Sequence, residues 1–127
     1  MSYLLDTHAL IWFLENDPQL PATIRTQIET TPNIFVSTAS LWEIAIKANI
    51  GKLALSFPFN TIEANLRALG MTQLPIVFAD LEIYLSLPLH HRDPFDRVLV
   101  SQATNYSLLF ISKDPQMDAY SIRRLWE

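Results

Sequence analysis

The feature that most constrains the fold is a short apolar segment, Tyr3–Leu5, that ends on Asp6 and runs at once into an apolar helical pattern. A strand without polar residues is typical of a parallel sheet, in which both faces are buried. Asp6 then lies at the carboxyl end of the strand, where open α/β sheets bind ligands. It can equally be the N-cap of the following helix. For this residue taken alone, we favour the cap.

Similar units follow along the chain and predict an α/β fold. Further strands are predicted at residues 34–36, 74–78, 108–111 and, as an edge strand, 120–126. Helices are predicted before the turn at residues 16–18 and then over residues 21–29, 39–50, 58–69, 79–87 and 94–105. Strands that alternate with helices indicate one compact domain with a parallel sheet and helices on both faces.

Length and composition predict one domain over residues 1–127, since half of the residues are hydrophobic. The longest apolar run, Ala9 to Leu14, is too short to span a membrane, and no signal peptide is recognisable. The absence of cysteine excludes disulfides, thiolate metal sites and cysteine nucleophiles. We therefore expect a cytoplasmic protein without membrane association.

Five acidic residues stand where strands end or helices begin: Asp6, Glu43, Asp93, Asp96 and Asp114. Each has an ordinary explanation. Asp93 and Asp114 precede prolines, as helix N-caps do. Glu43 has the spacing of a capping box with Ser40 and of an ion pair with Lys47. Taken singly, each acid is more simply a cap or a surface charge.

Taken together, the five acids favour a shared site. In a parallel sheet the strand ends and the following helix starts lie at one edge, so the acids can converge there. Carboxylates suit Mg²⁺ or Mn²⁺, which support phosphodiester hydrolysis by lowering the pKa of water and stabilising charge at the phosphate. The net charge of -4 argues against a broad basic face for nucleic acid, but the remainder of the chain carries 9 basic and 8 acidic residues.

Polar residues beside the acids have two interpretations each. Ser37 and Thr38 can hydrogen-bond a ligating carboxylate or cap the next helix. The basic residues that can hold backbone phosphates are Arg92, Arg97 and Lys113. Arg97 can instead pair with Asp93.

Histidines and aromatic residues give weaker signals. His8, His90 and His91 can contact metal or phosphate, but a loop histidine is more often simply solvated. Trp12, Trp42 and Phe95 lie in apolar helical stretches. For these three we favour core packing over base stacking.

Four motifs occur in order along the chain. They are Leu-Leu-Asp-Thr-His at residues 4–8, Ser-x-x-Ser-Leu-Trp-Glu-Ile-Ala-Ile-Lys at 37–47, His-Arg-Asp-Pro-Phe-Asp-Arg at 91–97 and Phe-Ile-Ser-Lys-Asp at 110–114. In this order they resemble the PIN-domain ribonucleases, specifically the VapC-type toxins of bacterial toxin–antitoxin pairs. The likeness covers essentially the whole chain.

The resemblance implies a PIN-like domain with a parallel five-stranded sheet and an acidic pocket that binds Mg²⁺ or Mn²⁺ and cleaves RNA, with transfer or ribosomal RNA as the usual target. The catalytic and metal-binding acids that it implies are Asp6, Glu43, Asp96 and Asp114, with Asp93 auxiliary. The residues expected to contact these acids or the substrate are Thr7, Ser37, Ser112 and Arg97.

The resemblance also implies a homodimer and a cognate antitoxin, whose C-terminal segment lies in a groove and blocks the acidic pocket. Such surfaces require exposed apolar side chains. The candidates, each of which can equally belong to the core, are Ile44, Ile46, Ile50, Leu53, Leu55 and Phe57.

Three alternatives are weighed against this interpretation. A receiver-type signalling domain also has strand-end aspartates and a lysine such as Lys113, but its first strand ends in adjacent acids, whereas Asp6 is followed by Thr7. A haloacid-dehalogenase-like phosphatase has a second aspartate where this chain has His8. A PIN-like RNA- or protein-binding module without catalysis stays open, although four intact acids speak against it.

Overall fold

A computed structural model describes residues 1–127 and contains five short strands. They are β1 (Tyr3–Leu5), β2 (Ile34–Ser37), β3 (Thr72–Leu74), β4 (Leu109–Ile111) and β5 (Arg124–Leu125). All neighbouring strands are parallel, in the order β3-β2-β1-β4-β5. The predicted α/β class and parallel five-stranded sheet are therefore confirmed.

Six α-helices connect and cover the strands. They are α1 (Thr7–Glu15), α2 (Ala22–Thr30), α3 (Thr38–Asn49), α4 (Ile62–Ala68), α5 (Phe78–Ser86) and α6 (Pro94–Asn105). Two 3₁₀ turns, Phe59–Thr61 and Pro115–Ala119, precede α4 and follow β4. None of the helices has the length and apolar character needed to cross a membrane.

The central strand β1 supplies both hydrophobic cores. Because successive strand side chains point to opposite faces, Tyr3 and Leu5 enter one buried cluster and Leu4 enters the other. Helices α1, α2 and α4 pack in the first cluster, and α6 packs in the second. Helices thus cover both faces, which holds the strand ends in fixed relative positions.

The strand order also excludes the receiver-type alternative. Doubly wound signalling domains of that type have the order 2-1-3-4-5, with the third strand beside the first. Here β1 lies between β2 and β4, and β3 is at the edge. A strand order of this kind places the ends of β1, β2 and β4 side by side.

The predicted strand at residues 74–78 is wrong. The strand is Thr72–Leu74, and Leu74 pairs with Ser37. Pro75 follows and has no N–H to donate to a ladder, so the strand stops before it. The backbone N–H of Val77 then donates to Asp80 Oδ2 at 2.9 Å, which starts α5 one residue earlier than predicted.

Candidate active site

The acidic residues are carried by elements that meet at one edge of the sheet. Asp6 directly follows β1, Glu43 lies in the second turn of α3 directly after β2, and Asp114 lies three residues beyond β4. Since β2, β1 and β4 are adjacent and parallel, these residues share the carboxyl edge of the sheet.

Three of the aspartates do cap helical turns, as their positions predicted. Asp6 Oδ1 accepts a hydrogen bond from the backbone N–H of Ala9 at 2.7 Å. Asp93 Oδ1 accepts hydrogen bonds from the backbone N–H groups of Phe95 and Asp96, at 2.9 and 3.1 Å. Asp114 Oδ1 accepts one from the backbone N–H of Gln116 at 2.9 Å. Since a carboxylate has two oxygens, a cap bond to one leaves the other for a ligand.

Glu43 has the least ordinary environment of the five acids. Its Oε2 lies 2.8 Å from Lys47 Nζ, which confirms the predicted ion pair. Its Oε1 is buried and has no hydrogen-bond partner. A buried carboxylate oxygen without a partner is costly, so its presence suggests that the position serves a ligand. The predicted capping box with Ser40 is wrong, because α3 begins at Thr38 and Ser37 is its N-cap.

The electrostatics show that the other four acids lie close enough to Asp96 to affect its ionisation. Burial and the negative charges of the other four acids together raise the pKa of Asp96 to about 7. Burial is the largest cause, followed in order by Asp93, Glu43, Asp6 and Asp114. Burial also raises the pKa of Asp6, against a hydrogen bond from Ser112 that lowers it. Ionisation of Asp96 and Asp6 is therefore disfavoured in the metal-free protein.

The donor set fits a hard divalent cation. No three Asp, Glu or His side chains already converge on one point as a ready ligand set. Like charges repel one another, and three of the acids are turned towards backbone N–H groups. A cation with oxygen ligands would offset the repulsion felt by Asp96 and give Glu43 Oε1 a partner.

Small hydroxyl residues connect the elements that carry the acids. Thr7 Oγ1 donates a buried hydrogen bond to Ser40 Oγ at 3.0 Å, which joins α1 to α3. Ser37 Oγ accepts a hydrogen bond from the backbone N–H of Ala39 at 3.0 Å, so Ser37 is the N-cap of α3. Ser112 Oγ accepts from the N–H of Asp114 at 3.1 Å, and its hydroxyl lies close enough to Asp6 to lower the pKa of that carboxyl.

Arg97 has a different role from the predicted ones. Its buried guanidinium donates from Nη1 to the Pro88 carbonyl at 2.9 Å and to the Tyr120 hydroxyl at 3.3 Å. The predicted ion pair with Asp93 is wrong, and this geometry does not support a contact with the acids or the substrate. Arg97 holds the loop that leads to Asp93.

His91 joins the same network. Its Nδ1 lies 2.8 Å from the Tyr120 hydroxyl, and its Nε2 lies 3.5 Å from Asp96 Oδ2, too poorly aligned for a hydrogen bond. This histidine therefore approaches the acids from the loop side, a contact that its sequence position did not indicate.

The prediction that Trp42 packs in the core is wrong. Its side chain is 58% exposed and meets Phe95 edge-to-face, with ring centroids 5.2 Å apart. The buried stripe of α3 is formed by Ala39, Ser40, Glu43 and Ile44, and Trp42 lies outside it. Phe95 is half-buried and packs against the second hydrophobic cluster, which agrees with its predicted core packing. Trp42, directly before Glu43, is therefore the exposed ring of this pair.

On the other side of the acids, Trp12 is half-buried rather than fully in the core. It packs against the first hydrophobic cluster and also lines a cavity with Asp6, Asp114, Lys113 and Gln19. Gln19 was not predicted as a site residue, since a glutamine in a turn gives no signal before the fold brings it to the acids.

The profile of the PIN domain matches residues 3–122 of the chain. The chain belongs to the PIN-domain family. Its four motifs and its sheet are those expected of a PIN domain, so the resemblance recognised from them is confirmed at the level of the family. A comparison with curated protein sequences gives no significant match.

Solved structures with the same fold include three PIN-domain neighbours. FitAcB from Neisseria gonorrhoeae is 17% identical with a TM-score of 0.70, over 97% of this chain and 96% of that one. VapBC2 from Rickettsia felis, bound to a DNA fragment from its promoter, is 14% identical with a TM-score of 0.72, over 100% of both. The Mycobacterium tuberculosis toxin VapC20, which cleaves the sarcin–ricin loop, is 14% identical with a TM-score of 0.65, over 99% and 100%. At these identities the likeness shows the shared fold.

Proposed function

We propose that this PIN domain is the toxin of a toxin–antitoxin pair and acts as a metal-dependent endoribonuclease. Its reaction is hydrolysis of RNA phosphodiester bonds, and transfer or ribosomal RNA is the proposed target class. The residues proposed to hold Mg²⁺ or Mn²⁺ are Asp6, Glu43, Asp96 and Asp114, with Asp93 auxiliary.

The observation that carries the proposal is the state of Glu43. Its Oε1 is buried and has no hydrogen-bond partner. It lies at the edge where the charges of three other aspartates raise the pKa of Asp96. Most buried side-chain polar atoms are satisfied by the protein or by ordered water, so an unpartnered carboxylate oxygen beside other acids favours a ligand. A divalent cation bound there lowers the pKa of water and stabilises negative charge at a phosphate.

The chain's own residues hold this arrangement. Ser112 lies close enough to Asp6 to lower its pKa, and the Thr7–Ser40 hydrogen bond fixes the start of α1 against α3. Asp93 caps α6 and so fixes the first turn, in which Asp96 is the third residue. Rigid elements rather than loops therefore present Asp6, Glu43 and Asp96, as positioning of a phosphate requires.

The neighbours support the toxin assignment. VapC20 is a toxin that cleaves the sarcin–ricin loop, and VapBC2 was solved on its promoter DNA. A PIN domain with the same fold and an intact acid set is suited to the same class of activity. The identity of the RNA target depends on side chains outside the acids.

Surfaces for an antitoxin and for a second copy are also available. A cavity of about 470 Å³, lined by Trp42, Leu41, Phe59 and Ile62, lies between α3 and α4. Of the apolar candidates, Ile44 is buried and Leu53, Leu55 and Phe57 pack against the core, whereas Ile46 and Ile50 are exposed. We propose that the antitoxin segment occupies this groove and that exposed apolar side chains of the chain, such as Leu81 and Leu85 on α5, support a homodimer.

The proposal is tested by incubating antitoxin-free protein with total cellular RNA in Mg²⁺ or Mn²⁺. The comparisons are EDTA and the Asp6→Asn variant, each at matched concentration and with circular dichroism as the folding check. Discrete fragments from the wild type alone support the nuclease. Folded wild-type protein that leaves a broad pool of structured RNA intact contradicts it and favours the non-catalytic binding module.

A further inference from the structure

A cavity of about 390 Å³ opens beside the acids, on the side of α1 and the segment after β4. Asp6 and Asp114 form the wall that it shares with the proposed metal site. The polar and aromatic side chains on the rest of the cavity wall are those of His8, Trp12, Gln19 and Lys113. The cavity therefore adjoins the acids directly.

Trp12 provides a fixed flat surface in this cavity. Its indole packs against the first hydrophobic cluster and lies 6.0 Å from the ring of Trp126, centroid to centroid. Because these contacts already hold the ring in place, an aromatic ligand that packs on it would cost little further side-chain order.

Lys113 places a positive charge over the same ring. Its Nζ lies 5.7 Å from the centroid of Trp12, within the range of a cation–π contact. The lysine is exposed and immediately precedes Asp114. An ammonium beside a strongly acidic cluster gives an anion a place to bind that the carboxylates themselves would repel.

The side-chain amide of Gln19 can both donate and accept hydrogen bonds. It is exposed, and its Nε2 is held only by a long 3.4 Å contact to Asp17 Oδ2. The cavity thus combines a flat ring, a cation and an amide. A nucleotide presents the matching set of a base face, a phosphate and polar base edges.

We propose that this cavity binds the nucleotide next to the scissile phosphate. Its base packs on Trp12 in place of the Lys113 ammonium, and the exposed Lys113 side chain turns to contact its phosphate. The inference rests on the proposed nuclease function and names a subsite for its substrate. A base can reach the indole only if it is unstacked from its neighbours, so the subsite selects unpaired RNA.

The test measures RNA binding without cleavage, in an Asp96→Asn background. The probe is a fluorescein-labelled, single-stranded RNA of 12 nucleotides, followed by anisotropy in Mg²⁺. Lys113→Ala and Trp12→Leu are each expected to weaken binding about tenfold, as loss of a base–aromatic or phosphate contact does. Trp12→Phe keeps an aromatic ring and is expected to retain most of the affinity.

The matched control is Lys52→Ala. Lys52 is also exposed, but it follows the far end of α3, about 18 Å along that helix from the acid edge. It removes the same charge and is expected to leave binding unchanged. In a salt series, Lys113→Ala is expected to reduce the slope of log affinity against log salt by about 0.7, one phosphate contact on a single strand.

The outcomes separate the two proposals. If Lys113→Ala binds the probe as tightly as its parent, the subsite is overturned, while RNA cleavage by the wild type still supports the nuclease. Equal losses in Lys113→Ala and Lys52→Ala overturn it as well, since they indicate only general charge attraction. If the wild type neither cleaves RNA nor binds the probe, both proposals fail. Lys113→Ala decides the matter even if Trp12→Leu does not fold, because Lys113 is a surface residue.

Discussion

Thr7 Oγ1 donates a buried hydrogen bond to Ser40 Oγ across 3.0 Å, which joins the first turn of α1 to that of α3. Thr7 is next to Asp6, and Ser40 lies three residues before Glu43. The bond therefore connects α1, which begins directly after Asp6, to α3, which carries Glu43 in its second turn.

Removal of this bond is expected to destabilise the protein and loosen the site. Thr7→Val keeps the side-chain shape but leaves the Ser40 hydroxyl without its donor, so we expect the free energy of unfolding to fall by about 1–2 kcal/mol. Urea denaturation measures this. Combined with Ser40→Ala in a double-mutant cycle, the two changes should be non-additive by about 0.5 kcal/mol or more; strict additivity would show that the bond contributes nothing.

Neutralising Asp96 is expected to separate stability from activity. Asp96→Asn removes a charge that burial and four neighbouring acids disfavour, so we expect the unfolding temperature in EDTA to rise by a few degrees. RNA cleavage should fall about 100-fold or more, because a proposed metal ligand is lost. Glu29→Gln, an exposed acid on α2, is the control and should change neither quantity. A lower unfolding temperature for Asp96→Asn would contradict the crowding of charge described above.

The stability of the metal-free protein should depend on pH in a defined direction. Asp96 has a pKa of about 7 in the folded protein and about 3.8 in the unfolded chain, so the folded state binds more protons between these values. The free energy of unfolding of the metal-free protein therefore falls as pH rises from about 4 to 7. Thermal unfolding in EDTA across this range measures the effect, and the difference between the wild type and Asp96→Asn isolates it. If that difference does not change with pH, the raised pKa is wrong.

Lys47 is expected to compete with the metal for Glu43. Its ammonium lies 2.8 Å from Glu43 Oε2, and a positive charge so close opposes a divalent cation. Lys47→Met should therefore tighten Mn²⁺ binding several-fold in a calorimetric titration, whereas Lys52→Met should not. Weaker binding by Lys47→Met would instead show that the lysine positions Glu43 for the metal.

The sequence was sufficient for the sheet and for the placement of the acids at its edge, because local patterns encode both. Apolar runs such as Tyr3–Leu5 predict buried parallel strands, and aspartates before prolines mark where helices begin. Once the strands are parallel, their ends must share an edge, so the convergence of the acids follows from topology. The strand at 72–74 was misplaced because the apolar run continues beyond Pro75, where the missing N–H ends the ladder.

The surroundings of the acids could not be predicted, since they depend on contacts between distant residues. Tyr120 meets Arg97 and His91 only in the folded chain. The exposure of Trp42 depends on which stripe of α3 faces the sheet, and an apolar helix has more than one candidate stripe. The cavity at Trp12 likewise requires α1 and the end of β4 to be placed side by side.

The most direct test of the account is the anomalous scattering of Mn²⁺ in crystals of the wild-type protein. We predict at least one Mn²⁺ peak bounded by carboxylate oxygens of Asp6, Glu43, Asp96 and Asp114, with Glu43 Oε1 or a bridging water among the contacts. Mn²⁺ bound elsewhere, or no peak at saturating Mn²⁺ in a crystal form where the acidic edge is open to solvent, would contradict the claim that these acids form one metal site.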